Sequence, residues 1–337
     1  MSLYEYINNS SLILIFFLVF INFILLYFKN EIGSYLKIID YPNDKRKIHQ
    51  KATPLVGGIC ILLSILPTYY LSYHLNLFDL KQSIVIYILI IIFFSTGFAD
   101  DYKPLKPKFR TMIILLSLFF ILPFENSFTI KKLIFLSTGR EIELGYYSII
   151  FTIFCIFSLY NAINFADGVN GSVISITIFW CLVLFIKNPI ILYLMVILFM
   201  INLFFFNITG RIFLGNSGSS IISIFISLAI IHEYNINGKI LADEIIFLLF
   251  FPGLDMIRVT MERIIKKKKV YYPDNLHFHH YLHNLNVKNI WLIILILTMF
   301  PYTLFYFLND IILSFIISTL VYFLLLAVLK KKSHDIK

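Results

Sequence analysis

Charge is what this sequence has least of. Of its 337 residues only 14% are Asp, Glu, Lys or Arg, against 59% hydrophobic, and the mean hydropathy is +0.86. A water-soluble domain of this length needs more polar surface than that, so the composition excludes one. Cysteine is scarce as well. Cys60, Cys155 and Cys181 each lie inside an apolar run without a pairing pattern, which excludes a disulfide framework and a cysteine metal site. No cationic segment precedes the first apolar run, residues 12–28, so that run reads as a retained helix rather than a cleaved leader. Internal repeats and flexible linkers are also lacking, and one domain, 1–337, is expected.

What is present is a series of apolar runs near the length needed to cross about 30 Å of hydrocarbon. Eleven spans are expected, at roughly 11–28, 55–73, 83–99, 110–123, 146–163, 171–187, 189–206, 218–233, 241–259, 289–307 and 309–329. The fold class is therefore all-α, a polytopic integral membrane protein with its N-terminus outside and its C-terminus cytoplasmic. That arrangement puts 22 of the 28 basic residues in cytoplasmic loops, a strong positive-inside bias. The net charge of +9 thus reports topology and does not imply a nucleic-acid partner. Lys187, Asn188 and Pro189 predict a tight turn between the sixth and seventh spans. The longest outside segment, 124–145, predicts a short hairpin around Ser137–Arg140.

Five polar islands remain, and the topology puts all five on the cytoplasmic side, as expected of chemistry between a soluble and a membrane-held substrate. The first runs from Asp40 to His49, through Arg46 and Lys47, and on to Pro54 and Gly57-Gly58. It suits an anion, although Lys and Arg belong in any cytoplasmic loop. The second is Asp100-Asp101 at the end of an apolar run, an expensive place for carboxylates. Neighbours on a helix point about 100° apart, so the two are expected to do different work. The third stacks Asn161, Asn164 and Asp167 at three-residue spacing on one helix face before Gly168 and Gly171. The fourth, Gly215-Asn216-Ser217-Gly218-Ser219, reads either as a phosphate cradle or as a plain helix start. The fifth follows Asp255, Arg258, Arg263 and Lys266–Lys269 and puts His277, His279, His280 and His283 within seven residues. With no cysteine near and many basic neighbours, phosphate binding fits these histidines better than zinc.

In order, the islands resemble the polyprenyl-phosphate N-acetylhexosamine-1-phosphate transferases, glycosyltransferase family 4, in the undecaprenyl-phosphate branch. The matching motifs are Asp-x-Pro-Asn with Arg-Lys-x-His and Gly-Gly, Gly-x-x-Asp-Asp, Asn-x-x-Asn-x-x-Asp-Gly-x-x-Gly, Phe-Leu-Gly-x-x-Gly-Ser and Asp-x-x-His-x-His-His, over about residues 40–285. The resemblance implies a multi-pass enzyme of the bacterial inner membrane. It would move an N-acetylhexosamine-1-phosphate from a UDP-sugar to undecaprenyl phosphate, releasing UMP, with Mg2+ or Mn2+, as the first step of an envelope polysaccharide such as O-antigen, common antigen or teichoic acid. Its partners would be those two substrates and membrane lipids; a homodimer is compatible with it. By resemblance, Asp100 or Asp101 would deprotonate or position the lipid phosphate. Asp100, Asp167 and Asn216 would serve the metal. Arg46, Lys47, His49, Asn161, Asn164, Asp167, Arg263, His277, His279 and His280 would hold substrate. Two positions depart from the pattern. Asn216 stands where the family usually has a metal-binding Asp, which lowers the expected magnesium affinity, and Leu55 stands where it usually has Arg.

Three other readings compete. A transporter or lipid flippase needs functional ionisable residues in mid-span, but His74, Glu233 and Asp255 lie near span ends or a bend. An intramembrane prenyltransferase explains neither the histidines nor the asparagines. A catalytically weakened homologue follows from Asn216.

Overall fold

The computed structural model describes residues 9–42, 51–269 and 275–335. Among these the chain forms α1 (Asn9–Tyr27), α2 (Lys29–Tyr35), α3 (Gly57–His74), α4 (Leu80–Tyr102), α5 (Pro107–Ile121), α6 (Ser148–Ala166) and α7 (Ser172–Lys187). It continues as α8 (Ile191–Ile208), α9 (Gly215–His232), α10 (Ala242–Leu248), α11 (Phe250–Ile265), α12 (Phe278–Asn284), α13 (Ile290–Leu308) and α14 (Ile311–Asp335). Two small antiparallel pairs complete it. β1 (Ile39–Asp40) lies on β2 (Thr53–Pro54), and β3 (Lys132–Ile134) on β4 (Glu141–Glu143), with Leu133 opposite Ile142. The second pair is the expected hairpin. The expected turn after Lys187 is also found, α7 ending there and α8 starting at Ile191.

Among the described residues seven helices are long and apolar enough to cross a membrane, or eight if α1 and α2, bent by 67° at their junction, form one span. This is a multi-pass, all-α membrane protein, with fewer qualifying spans than the eleven expected. The difference has local causes. α7 has only 16 residues. The expected 241–259 span is broken at Leu249 into α10 and α11. α3 is diluted by hydroxyls, but it hides them: Ser64, Thr68 and Ser72 each donate to the carbonyl four residues back, at 2.8, 2.6 and 2.9 Å. Each hydroxyl is thereby satisfied inside its own helix.

α9 forms the centre, packed on α3, α4, α6 and α7. Its serines make this possible. They are small enough for close helix approach, and Ser223 and Ser227 satisfy themselves on carbonyls of their own helix at 2.7 Å. α4 starts with a capping box in which Asp79 accepts from the Gln82 N–H at 2.7 Å and Gln82 accepts from the Asp79 N–H at 3.0 Å. At the end away from the islands, two buried carboxylates are paired. Glu233 accepts from the Tyr193 hydroxyl at 2.7 Å, and Glu244 meets Lys187 at 2.5 Å.

Candidate active site

The last turn of α4 is an unfavourable place for two carboxylates, because a helix dipole is negative there. Each is neutralised differently. Asp100 Oδ2 pairs with Arg110 Nη1 at 2.7 Å, and its Oδ1 accepts the Leu105 N–H at 2.6 Å, which folds the 103–106 turn back onto α4. Asp101 instead meets the positive end of α9. Its Oδ1 accepts from the Asn216 N–H at 2.7 Å, and its Oδ2 from the Ser217 N–H at 3.0 Å and hydroxyl at 2.7 Å. The Gly-Ser segment that read either as a phosphate cradle or as a plain helix start is therefore a helix start held by the chain's own carboxylate. Gly97 and Gly58 allow it: a Cβ on Gly97 would come within 2.4 Å of the Asn216 carbonyl oxygen, and one on Gly58 within 2.2 Å of the Ser217 hydroxyl.

α6 supplies the next group. Asn161 spends its amide on its own helix, donating to the Phe157 carbonyl at 2.8 Å. Asn164 reaches across to α9 and donates to Asn216 Oδ1 at 3.2 Å. Asp167 caps α6 at its C-terminal end, and its carboxylate takes no hydrogen bond among the described residues. Burial pushes its pKa well above the usual carboxylate range, and the Asp101 charge adds to the effect. The turn beyond it is fixed by Asn207, a residue the sequence reading passed over. Asn207 accepts the Gly171 N–H at 2.6 Å and donates to the Ile212 carbonyl at 3.0 Å. Its signal in the sequence was one of two amides, Asn202 and Asn207, near the end of the apolar 189–206 run.

The histidine helix α12 lies above this turn. His277 Nδ1 is 2.9 Å from Asp255 Oδ2 and is buried. His279 is buried against Gly168, where a Cβ would sit 2.0 Å from its Nε2. Burial and the neighbouring His280 and His277 hold its pKa well below the ordinary histidine value, so it is neutral at pH 7. Arg263 lays its guanidinium 5.1 Å from the centre of the Phe165 ring.

A cavity of about 950 Å³ joins the islands. Asp100, Asp101, Asp167, Asn216 and His280 line it, with Asp40, Lys51, Asn170, Asn207 and His283. Asn161, Asn164, Arg263, His277 and His279 do not reach its wall and lie in the layer behind it. Arg46, Lys47 and His49 lie outside the described residues. His283 belonged to the histidine cluster but was not singled out; the helical turn brings it beside His280. A second cavity, about 320 Å³ and almost wholly apolar, runs between α6, α9, α10 and α11 and reaches Ala162, next to Asn161.

The family model described as glycosyl transferase family 4 matches residues 83–233, the stretch from α4 to the end of α9 that carries Asp100, Asp101, Asp167 and Asn216. Over that stretch, just under half of its length, the chain is similar to this family. An Escherichia coli K12 relative named undecaprenyl-phosphate alpha-N-acetylglucosaminyl 1-phosphate transferase is 25% identical over 281 residues, 76% of this chain and 71% of that one. A Bacillus subtilis relative, named as a probable undecaprenyl-phosphate N-acetylglucosaminyl 1-phosphate transferase, is 27% identical over 76% of this chain and 74% of its own. A Thermotoga maritima relative, with the same name as the Escherichia coli one, is 26% identical over 72% of each chain.

The donors facing the cavity fit magnesium or manganese. They are hard oxygens, and one of them, the Asp167 carboxylate, has no protein partner. Among the described residues no group of three His, Cys, Asp or Glu side chains is gathered as a cage.

Proposed function

We propose that this chain transfers an N-acetylhexosamine-1-phosphate from a UDP-sugar to undecaprenyl phosphate, releasing UMP, at the cytoplasmic face of the bacterial inner membrane. The observation that carries this reading is the shared cavity. Four carboxylates, Asp40, Asp100, Asp101 and Asp167, line it together with Lys51, His280 and His283, and an apolar cavity for a prenyl tail approaches it from the α6 side.

In the reaction an oxygen of the lipid phosphate attacks the sugar-bearing phosphorus of the donor. The bond to the bridging oxygen breaks and UMP leaves with both bond electrons. Nucleophile and electrophile are both anionic, so their repulsion is the main barrier for the protein to lower. A bound Mg2+ or Mn2+, held by Asp167 with Asn216 nearby, would screen the diphosphate charge. His280 and His283 donate to phosphate oxygens, and Lys51 draws anions into the cavity. Asp100 takes any proton left on the lipid phosphate once Arg110 releases it. Asp101 keeps the start of α9, and with it Asn216, at the cavity wall.

The test is UMP release by purified protein from a panel of UDP-sugars with undecaprenyl phosphate, with and without magnesium. Turnover of at least one UDP-N-acetylhexosamine is expected, and it should depend on the metal. No turnover of any donor would overturn the reading. The Asn164–Asn216 amide pair also supports a weaker metal site than a carboxylate at 216 would give, and hence a higher magnesium requirement.

A further inference from the structure

α14 starts 28 residues after His283, the end of the last island, and lies outside the stretch that matches the family model. It is apolar and exposes Ile312, Phe315 and Leu324. Tyr322 breaks that pattern. It is 3% exposed, and its hydroxyl lies between two charges, donating to Asp255 Oδ1 at 2.6 Å and accepting from Arg258 Nε at 2.8 Å.

Those two charges hold the histidine helix. Arg258 Nη2 pairs with Asp255 Oδ1 at 2.6 Å and donates to the Leu276 carbonyl at 2.7 Å. Asp255 accepts the Phe278 N–H at 3.3 Å and pairs with His277 Nδ1 at 2.9 Å. α12 has seven residues and no capping side chain of its own. A helix that short does not persist alone, and Asp255 provides the cap from outside. A second bridge repeats the connection one to two turns on. Lys330 of α14 donates to Glu262 at 2.6 Å and lies 5.7 Å from the ring centre of Tyr281, on α12.

We propose that Tyr322 is a positioning residue: by joining Asp255 and Arg258 it sets the register of α12 and so aims His280 and His283 at the donor diphosphate. The inference rests on the proposed transferase function for its kinetic consequence but not for its structural one. Without the hydroxyl, Arg258 Nε is left as a buried donor lacking its acceptor, which costs enough to favour rearrangement. The histidine contacts are made to bound donor and to the transition state alike, so weakening them raises KM and spares kcat.

The experiment compares wild type with Tyr322→Phe in detergent. The expected result is a KM for the UDP-sugar raised about tenfold, with kcat within about twofold and the KM for undecaprenyl phosphate unchanged. Asp255→Asn should raise the same KM, and the double variant should be no worse than Asp255→Asn alone, because the two act through one network. A second readout needs no substrate. His277 and His279, buried in wild type, should react with diethyl pyrocarbonate several-fold faster in Tyr322→Phe, as read by mass spectrometry of the 270–290 peptides. Unchanged donor KM in an active Tyr322→Phe protein, or unchanged protection of both histidines, overturns the proposal. If wild type turns over no UDP-sugar, the functional reading fails, and histidine protection alone decides the proposal. If Tyr322→Phe does not purify as a single species, Lys330→Met severs the second bridge. A smaller shift of the same sign supports the proposal, and no shift overturns it.

Discussion

At the scale of single residues, the site is organised by how each carboxylate is neutralised. Asp101 spends both oxygens on the start of α9. Asp101→Asn should therefore lose activity by at least a hundredfold, and it should also lower the melting temperature, since an amide cannot accept all three bonds. Asp100→Asn should lose activity with less effect on melting, its partners being the half-buried Arg110 and a turn. Asp167 behaves in the opposite way. Its folded pKa lies above its unfolded value, so the folded protein holds a proton that the unfolded chain releases. Its burial then costs stability, increasingly as pH rises from the ordinary carboxyl range through the raised value. With chelator present, Asp167→Asn should melt higher than wild type at pH 7.5, and the gap should close on acidification, while UMP release is lost. Wild-type melting that falls with pH just as the variant's does would contradict this. Asn216→Asp should lower the magnesium concentration for half-maximal activity several-fold, read by titration. Legibility at this scale was uneven. Asp100, Asp101, Asp167 and His280 were visible as chemistry in an apolar chain. That Asp101 would close on Asn216 and Ser217, over a hundred residues away, was not, because no local pattern records a long-range cap.

At the scale of elements, apolar length found the helices but not their fate. Hydropathy averages cannot see that the hydroxyls of α3 satisfy themselves, nor that the run from 241 breaks at Leu249 to bring Asp255 and Arg258 under the histidines. The spacing His277, His280, His283 was legible as a helix face, but the side of it facing the cavity depends on Asp255. His277 is turned to that carboxylate, while His280 and His283 are left on the cavity. The joint between elements that the sequence hid best is Asn207, which bonds the α6–α7 turn to the approach of α9. Asn207→Leu keeps the branched shape but strands the Gly171 N–H and the Ile212 carbonyl. An unsatisfied buried group costs about 1–3 kcal/mol. The variant should accordingly melt lower, and its kcat should fall about tenfold or more because Gly168 and Asp167 move with the turn. A normal kcat in a destabilised protein would show that the turn is scaffold only.

At the scale of the whole molecule, charge argues which end faces the cytoplasm. The cavity end carries Lys51, Lys103, Lys106, Lys108, Arg110 and the run Lys266–Lys269, while the hairpin end carries Lys131, Lys132 and Arg140 against Glu141 and Glu143. An orientation with the cavity outside would place the denser basic face on the wrong side of the membrane. It would also separate the site from any nucleotide-sugar made in the cytoplasm. The three native cysteines are two buried and one half-buried within apolar helices, so a single introduced thiol can be labelled cleanly. Arg140→Cys, at the exposed hairpin tip, should react with a membrane-impermeant maleimide in intact spheroplasts. Lys103→Cys, exposed beside Asp100 and Asp101, should react only after the membrane is opened. The reverse pattern would turn the molecule over and remove the site from its substrate. Labelling of both in intact spheroplasts would mean that the basic loops do not fix the orientation, and the positive-inside argument would fail for this chain.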